Sequence, residues 1–396
     1  MIKNVPDGWE IGFINDKITN KIKSSGINIF CGNKNYLSTE CIKNNKINKI
    51  EEVISYKKRP SRANLQPQTN DVFFAKMKET EKVLIITEKI EDEYILSTGF
   101  MPIRPYLNKL NSIYLSYYFK SKQFNEIKDK LSYGGTQKAL NNQNASKIKI
   151  PIPPLQQQKK IVKVLDISSA LLEKQKELIA KYDLFLKSKF IEMFGNPMVN
   201  SLKWNYKSFS EIAHCRLGKM VDKKQNIGKE KFIYLANLNV QWGYFKLKEL
   251  RKMYFSDNEK IEFSLRKGDL LICEGGEIGR TAIWKEEIKN CYFQKALHRC
   301  RVDKSIVSPE YISHFMLHMI KSGGLSKYIV SATIPHLTGV KLKKINIPIP
   351  PITLQNKFAK IVEKIETIKT KETKKLNHLE TLHKSLMDKA FKGEIK

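Results

Sequence analysis

Two long segments of the chain carry apolar residues at the alternating three- and four-residue spacing of an amphipathic helix. Each segment follows the residues IPIPP and continues for about 40 residues without an internal proline, or roughly 60 Å of helix. Because so long a helix would overhang a small domain, the two helices are expected to pack together as an antiparallel coiled coil. The predicted core consists of Ile161, Val164, Leu171, Leu178, Tyr182 and Phe185 in the first helix and Phe358, Ile361, Ile365, Ile368, Leu379, Leu382 and Leu386 in the second.

A sequence repeat accompanies these helices, since IKIPIPP at Ile148 recurs as INIPIPP at Ile345, 197 positions later. The same offset aligns Gln158 with Gln355 without a gap, which predicts a tandem duplication. Gln175 and its counterpart Glu372 fall at the midpoints of the two heptad runs. We predict that these two polar residues meet at the centre of the antiparallel pair and fix its register, with the two flanking domains at opposite ends.

Short strand-like runs and single helix patterns fill the segments outside the long helices. The strand-like runs include KVLIITE, YILSTGF and KFIYLANL, and the helix candidates are IYLSYYFKSKQF and PEYISHFMLHMIKSG. The predicted fold class is therefore two pseudo-repeated α/β (α+β) domains joined by two long α-helices. The predicted boundaries are residues 1–150 for the first domain, 151–195 for the first helix, 196–347 for the second domain and 348–396 for the second helix.

The charge of the chain adds a class of partner to this architecture. The sequence has 71 Lys and Arg against 40 Asp and Glu, a formal net charge of +31. Such a surplus favours a polyanionic partner, because cationic side chains that bind a nucleic acid release its condensed counterions. A lysine-rich surface inherited from an AT-rich genome is the alternative, which the many Ile, Asn and Lys residues keep open.

The cysteines and the apolar runs indicate the compartment. No uninterrupted apolar run is long enough to span a bilayer. The six cysteines contain no CxxC pair and are expected to be reduced thiols in a cytosolic protein. They are Cys31, Cys41, Cys215, Cys273, Cys291 and Cys300.

The sequence does not carry the motifs of an autonomous enzyme. Its proline pairs are followed by aliphatic residues, which excludes the N/D-P-P-Y/F motif of adenine methyltransferases, and no Walker A sequence occurs. Gly275–Arg280 lacks the GxGxxG spacing of a cofactor loop. His314 and His318 lie four apart, but Phe315 replaces the Glu of a HExxH zinc site, so we interpret them as two histidines on a helix face. The alternative that stays open is a non-enzymatic RNA-binding or coiled-coil scaffold protein.

The order of several motifs resembles the DNA specificity subunits of type I restriction–modification systems over essentially the whole chain. The motifs are the Trp-led openings DGWEIGF and KWNYKSF, the KGDLLI and GEIGR block, the helix starts PIPPLQQQKKIV and PIPPITLQNKFAKIV, and the ends FLKSKFIEMFGNP and LHKSLMDKAFKGEI. Members of that family usually have Glu-Gln after the proline turn, whereas this chain has Gln157-Gln158 and Leu354-Gln355. The acidic residue and its role are therefore not carried over.

The resemblance implies a non-catalytic protein with two target recognition domains, each of which binds one half of a split double-stranded DNA site. The long helices would hold the domains apart and dock two copies of an adenine methyltransferase subunit, and an endonuclease/translocase subunit would join for restriction. No cofactor is expected in this chain, since S-adenosylmethionine would be bound by the methyltransferase subunit and ATP with Mg by the endonuclease subunit. The complex would be cytoplasmic.

Polar loop residues are the candidate DNA contacts, since Arg, Lys, Asn and Gln read base edges and Lys, Arg, Thr and backbone N–H groups bind phosphates. In the first domain they lie in the basic, proline-broken loop SYKKRPSRANLQPQ, at one arginine and in a glycine loop; they are Lys57, Lys58, Arg59, Arg62, Asn64, Gln66, Arg104, Gly134, Gly135, Thr136 and Gln137. In the second domain the candidates are Lys223, Lys224, Gln225, Asn237, Asn239, Gln241, Arg280, Gln294, Lys295 and Thr333.

Overall fold

The computed structural model of the protein describes residues 5–53, 55–135, 137–221, 230–329 and 335–395. The chain divides into two compact units. The first unit comprises Met1–Lys176 and Lys374–Lys396, and the second comprises Glu177–Thr373. Each unit therefore contains one α/β segment together with a part of each long helix.

Helices form the two long segments and several short elements beside the sheets. They are α1 (Glu88–Glu93), α2 (Ser112–Lys120), α3 (Lys122–Leu131), α4 (Asn142–Ala145), α5 (Leu155–Phe194), α6 (Phe209–Ile212), α7 (Asp257–Phe263), α8 (Pro309–Lys321), α9 (Gly339–Lys343) and α10 (Ile352–Ala390). The Asn111 side chain caps α2 and the Ser308 side chain, 197 positions later, caps α8. No described helix combines the length and the apolar character that a bilayer span requires.

The strands are short and lie in the α/β segments. Those of the first unit are β1 (Glu10–Phe13), β2 (Asn20–Ile22), β3 (Lys34–Leu37), β4 (Ile42–Lys43), β5 (Lys46–Ile47), β6 (Glu51–Val53), β7 (Ala63–Leu65), β8 (Val72–Ala75), β9 (Val83–Ile85), β10 (Tyr94–Ser97), β11 (Phe100–Pro105) and β12 (Lys149–Ile152). Those of the second unit are β13 (Tyr206–Ser208), β14 (Ala213–Leu217), β15 (Phe232–Leu235), β16 (Arg251–Met253), β17 (Leu270–Cys273), β18 (Thr281–Ile283), β19 (Tyr292–Phe293), β20 (Leu297–Val302) and β21 (Asn346–Pro348).

The sheets of the two units share one plan. An antiparallel sheet in the order β2-β11-β8-β9 in the first unit corresponds to the order β14-β20-β17-β18 in the second. A second sheet contains one parallel pair in each unit, β3 with β10 and β15 with β19. The strand order is thus repeated within segments whose sequences have diverged, which confirms the predicted pair of pseudo-repeated α+β segments.

In the first unit, the start of α5 packs against the end of α10. Ile161 and Leu165 share a buried core with Met387 and Phe391. Further along α5, the Ser168 hydroxyl lies 2.8 Å from His383 Nδ1. The Lys176 ammonium lies 3.7 Å from the Glu380 carboxylate, so residue numbers rise along one helix as they fall along the other.

In the second unit, the end of α5 packs in the same sense against the start of α10. Asp183 pairs with Lys369, and the rings of Phe190 and Phe194 lie 5.6 and 5.3 Å from the Phe358 ring. The parts of the two helices found in each unit are therefore antiparallel, as predicted. The predicted contact between Gln175 and Glu372 stays a prediction.

The buried positions of the long helices follow a different heptad frame from the predicted one. Leu172 is 9% exposed, whereas its predicted neighbour Leu171 is 47% exposed. The prediction was wrong at Leu171, Leu178, Phe185, Ile368 and Leu382, which are all exposed. Apolar residues stand side by side at most of these positions, so steps of three and of four residues both give an apolar stripe, and only packing selects one.

The other apolar positions of the two long helices, predicted or not, are buried to different degrees. Leu165, Leu172, Leu186 and Val362, one residue beyond positions of the predicted frame, are buried. Ile161 and Phe358 are also buried. Partial burial is found at Val164, Tyr182, Ile361, Ile365, Leu379 and Leu386.

The cysteines differ from the expectation of six reduced thiols. Cys215 and Cys300 are direct partners on antiparallel β14 and β20, with Cα atoms 4.2 Å apart, and form a disulfide. The expectation was wrong for this pair because sequence spacing does not reveal cross-strand neighbours. The free cysteines include Cys273 and Cys291, whose pKa values burial raises to about 11 and about 12, so both thiols stay protonated at neutral pH.

Candidate nucleic-acid interface

Loops of the first unit are joined by backbone hydrogen bonds at one end of its sheets. The N–H of Gly26 donates to the carbonyl of Asn64 at 2.8 Å, and that of Lys76 donates to Gly99 at 3.0 Å. The N–H of Lys78 donates to the carbonyl of Lys138 at 2.9 Å. The connected loops form what we call the first loop surface: residues 24–33, 55–66, 76–82, 97–99, 133–135 and 137–139.

Loops of the second unit are joined in the same way. The N–H of Lys295 donates to the carbonyl of Lys219 at 2.9 Å, and that of Glu274 donates to Ala296 at 3.0 Å. The N–H of Leu337 donates to the carbonyl of Glu274 at 2.8 Å, and that of Gly243 donates to Thr281 at 3.0 Å. We call these loops the second loop surface: residues 218–221, 236–246, 274–281, 294–296 and 335–337.

The two surfaces occupy equivalent places in the repeated fold. The loop after β8 contains Lys76 in the first unit, and the loop after β17 contains Glu274 in the second. Each of these residues bonds through its backbone to the residue just before the next long strand, Gly99 or Ala296. The backbone plan is shared, but a lysine and a glutamate occupy the equivalent position, so the two surfaces present different side chains.

Most candidate residues of the first unit lie on the first loop surface. Lys57, Lys58 and Arg62 are exposed. Arg59 is half-buried, with its guanidinium 4.0 Å from the centre of the Tyr56 ring. The other candidates there are the exposed Gly134, Gly135 and Gln137 and the half-buried Asn64 and Gln66, while Thr136 lies outside the described residues.

Arg104 has a structural partner instead of a free side chain. Its guanidinium donates two hydrogen bonds, of 2.6 and 2.7 Å, to the buried carboxylate of Asp71. These bonds raise the pKa of Arg104 above its usual value. Arg301 and Asp269 make the equivalent bidentate pair in the second unit. Arg104 is therefore corrected from a DNA contact to a residue that holds β11 to the turn before β8.

Two candidates of the second unit are also committed to the fold. Asn239 is 2% exposed; its side chain accepts from the N–H of Ala236 and donates to the carbonyl of Lys246, both at 2.9 Å. Arg280 donates to the carbonyl of Asn237 at 2.6 Å and pairs with Glu277. The predictions for Asn239 and Arg280 were wrong because the sequence does not show which polar loop residues shape the loop itself.

Other candidates of the second unit lie on the second loop surface. Asn237, Gln241 and Gln294 are half-buried, and Lys295 is exposed. Among the described residues, the Asn237 side-chain amide has no hydrogen-bond partner. Lys223, Lys224, Gln225 and Thr333 lie outside the described residues.

The sequence reasoning missed several polar residues of these surfaces. Lys78 and Lys138 are exposed on adjoining loops of the first surface. In the second, His336 is exposed, and its Nδ1 lies only 3.0 Å from where a Cβ on Gly275 would stand. A closer use of the 197-residue offset would have found Lys78, since it places the loop after β8 beside the GEIGR block already noted.

The described part of neither loop surface offers a metal site. Among the described ranges, no cluster of three His, Cys, Asp or Glu side chains has the geometry to hold a metal ion. The rings of His314 and His318 stack on the Phe190 ring, with ring centres 6.3 and 4.7 Å from it; His318 is buried and His314 is half-buried. Burial lowers the pKa of both histidines to about 4. The sequence interpretation, two histidines on a helix face, did not include this packing against Phe190.

Comparison with known proteins identifies one family. The sequence model described as "Type I restriction modification DNA specificity domain" matches residues 6–181 and again residues 201–381. A putative type I restriction enzyme specificity subunit of Haemophilus influenzae is 30% identical over 268 residues, covering 66% of this chain and 66% of the relative. The specificity subunit of the type I restriction enzyme EcoKI of Escherichia coli is 24% identical over 312 residues, covering 71% of this chain and 65% of the relative.

The solved structures agree with the fold. A chain from a study of the complex assembly and conformational transition of the type I R-M system superposes with a TM-score of 0.63 at 17% sequence identity. The superposition covers 98% of this chain and 99% of that chain. The sequence matches to the curated relatives named above span just under two thirds of their length.

Proposed function

Since the chain belongs to the type I restriction–modification DNA specificity family, we propose that it is a non-catalytic subunit that selects the DNA site of such a complex. The two loop surfaces would each bind one half of a split double-stranded site. The domain division at residues 1–150, 151–195, 196–347 and 348–396 would then separate two target recognition domains from two spacer helices.

One observation carries this proposal: the same arrangement of joined loops occurs twice, with different side chains. The backbone is repeated, but Lys76 in the first unit corresponds to Glu274 in the second. One fold with different side chains suits the binding of two different DNA sequences. Two half-site readers on one chain gain affinity because binding of the first raises the effective concentration of the second. The net charge of +31 supports a polyanionic ligand.

The proposed DNA contacts are exposed or half-buried residues of the two loop surfaces, together with Thr136, Lys223, Lys224, Gln225 and Thr333, which lie outside the described residues. Lysines and arginines at the rims would bind phosphates, and amide or imidazole groups would reach base edges. In the first unit they are Lys57, Lys58, Arg59, Arg62, Asn64, Gln66, Lys78, Gly134, Gly135, Thr136, Gln137 and Lys138. In the second they are Lys223, Lys224, Gln225, Asn237, Gln241, Gln294, Lys295, Thr333 and His336.

Exposed apolar residues on the long helices of each unit support the docking of partner subunits. In the first unit, Leu171 on α5 and Leu382 on α10 are exposed. In the second unit, Leu178 and Phe185 on α5 and Ile368 on α10 are exposed. We propose that two copies of a methyltransferase subunit cover these residues and bring S-adenosylmethionine. An endonuclease/translocase subunit would bring ATP and Mg, and the complex would act on DNA in the cytoplasm.

Adenine-methylation mapping of the host genome, with and without this gene, tests the proposal. A split methylated motif should disappear when the gene is deleted and return when it is restored. The purified chain alone should neither methylate nor cut DNA when S-adenosylmethionine or ATP is supplied. Methylation that is unchanged by the deletion, or catalysed by the isolated chain, would refute the assignment.

A further inference from the structure

The loop between β2 and β3 holds one apolar side chain away from the protein. Ile27 and Phe30 pack against a small buried cluster of Tyr36, Ala63 and Ile95. Between these two anchors, Ile29 is 82% exposed. Ile27 and Phe30 thus occupy positions against the cluster, whereas Ile29 between them is left in solvent.

Cationic groups surround the base of this loop. The Phe30 ring meets the Tyr56 ring edge-on at 5.7 Å, and the Arg59 guanidinium lies over Tyr56. On the other side, the Lys34 ammonium is 5.8 Å from the centre of the Phe30 ring. Lys57 and Lys58 follow Tyr56 directly and are exposed. The loop that carries Ile29 is therefore packed against the most basic turn of the first loop surface.

Exposure alone does not distinguish Ile29, because single exposed apolar residues are normal on proteins. Ile18, at 67%, is also exposed in the same unit. The carbonyl of the next residue, Thr19, accepts from the N–H of Tyr106 at 2.9 Å, so Ile18 lies where β11 ends. Gly99 and the first loop surface lie where β11 begins. What sets Ile29 apart is its place beside the basic turn.

We propose that Ile29 contacts a base in the half-site bound by the first unit. The flanking cations would hold the phosphates, and the isoleucine would bury its apolar surface on the DNA. It would do so against a thymine 5-methyl group or by opening a base step as a wedge. The proposal rests on the DNA-binding function above and adds an apolar specificity contact to the polar ones already named.

Equilibrium binding by the full-length chain with its methyltransferase subunits tests this contact, on the duplex that methylation mapping identifies. Ile29→Ala should weaken binding to that site on the order of tenfold, because it removes three buried carbons. It should leave binding to an unrelated duplex and the salt dependence unchanged. Ile29→Val should retain most of the affinity, and the matched control Ile18→Ala should equal the wild type. Lys57→Ala should weaken binding to both duplexes and reduce the salt slope by about one.

Modified DNA separates the two forms of contact. If the methyl group is touched, deoxyuridine in place of the relevant thymine should reproduce the loss of affinity and make Ile29→Ala silent. If a step is opened, 2-aminopurine beside it should brighten with the wild type and not with Ile29→Ala.

Equal binding of the site by the wild type and Ile29→Ala would overturn the inference and leave the proposed function standing. A wild-type complex that prefers no DNA sequence would overturn both. Thermal unfolding of Ile29→Ala should match the wild type, since the side chain it shortens packs on little of the protein.

Discussion

One buried glutamine attaches each long helix to the α/β segment before it: Gln158 for α5 and Gln355 for α10. The Gln158 amide donates to the carbonyls of Pro153 and Lys109, both at 2.8 Å, and its oxygen accepts from the N–H of Asn111 at 2.8 Å. Gln355 makes the same three bonds, at 2.8 to 3.1 Å, with Pro350, Ile306 and Ser308. One side chain thus joins the proline turn, the helix start and the N-terminus of α2 or α8.

Gln158→Ala should destabilise the protein by about 2 to 4 kcal/mol, since it leaves three buried backbone groups without a partner. Urea unfolding of the full chain, followed by circular dichroism, measures the change. The control is Gln156→Ala, on an exposed position of the same helix turn, which should stay within about 0.5 kcal/mol of wild type. Equal stability of the two variants would contradict the role given to Gln158.

The packed His314 and His318 should make the second unit sensitive to acid. Burial is the main cause that lowers both pKa values to about 4, with smaller contributions from the charges of His318 and Lys369 at His314 and of Lys187 at His318. The folded protein then binds fewer protons than the unfolded chain, so stability falls as pH drops from about 6.5 to about 4. The expected loss is on the order of 2 kcal/mol for each histidine.

The double variant His314→Leu/His318→Leu should flatten the pH dependence of urea unfolding between pH 6.5 and 4. His378→Leu, at an exposed position of α10, is the control and should keep the wild-type slope. The same slope in the double variant and the control would show that these histidines do not titrate on unfolding.

At the residue scale, the sequence predicted types of side chain better than their roles. The basic loop at Lys57 and Lys58 is exposed as expected. Arg104 and Asn239 are residue types that commonly contact bases, but their side chains are hydrogen-bonded within the protein. Arg104 bonds to Asp71, and Asn239 bonds to the backbone of residues 236–246. Composition and loop position do not distinguish a residue free to bind DNA from one that is bonded within the protein. The bonding partner of Arg104 is distant in the sequence, and the partners of Asn239 depend on the conformation of its own loop.

At the scale of elements, the long helices were predicted within a few residues, but not the face they bury. Proline turns set their starts, and the absence of internal proline set their length. Their apolar residues occur in adjacent pairs such as Leu171-Leu172, so the sequence contains two stripes. Packing buries one of them and leaves the other exposed.

The pair Leu171 and Leu172 separates the two stripes experimentally. Leu172→Ala should lower the free energy of unfolding by about 2 to 4 kcal/mol, because it truncates a buried side chain. Leu171→Ala should change stability by less than about 0.5 kcal/mol. If the exposed stripe docks the methyltransferase, Leu171→Ala should weaken co-purification of that subunit. The reverse order of stabilities would show that the predicted heptad frame was right.

At the scale of the whole molecule, the tandem duplication was the most informative feature of the sequence. It predicted two α/β segments with a common plan, and the repeated strand order is a structural finding that the diverged sequences do not reveal. The duplication also aligned Gln158 with Gln355, which make equivalent contacts in the structure. The duplication did not predict the cross-strand pair of Cys215 and Cys300, since the equivalent positions of the first copy are not cysteines.

Replacing residues 1–150 by the same segment of another family member should change one half of the methylated motif. The other half should stay as it was, since every segment of the second loop surface lies outside residues 1–150. Methylation mapping in a host that carries the chimaera gives the result. A chimaera that alters both halves, or neither, would contradict the assignment of one half-site to each unit.

The length of the paired helices should set the distance between the two half-sites. Deleting residues 175–181 from α5 and 372–378 from α10 removes one heptad from each helix and preserves the sequence of apolar positions on either side. The pair shortens by about 10 Å, so the unspecified gap in the methylated motif should shrink by about three base pairs. Deleting only one of the two segments is the control: it leaves helices of unequal length, which should lower the thermal unfolding temperature without giving a shorter gap. An unchanged gap in a stably folded double deletion would show that the helices do not measure the site.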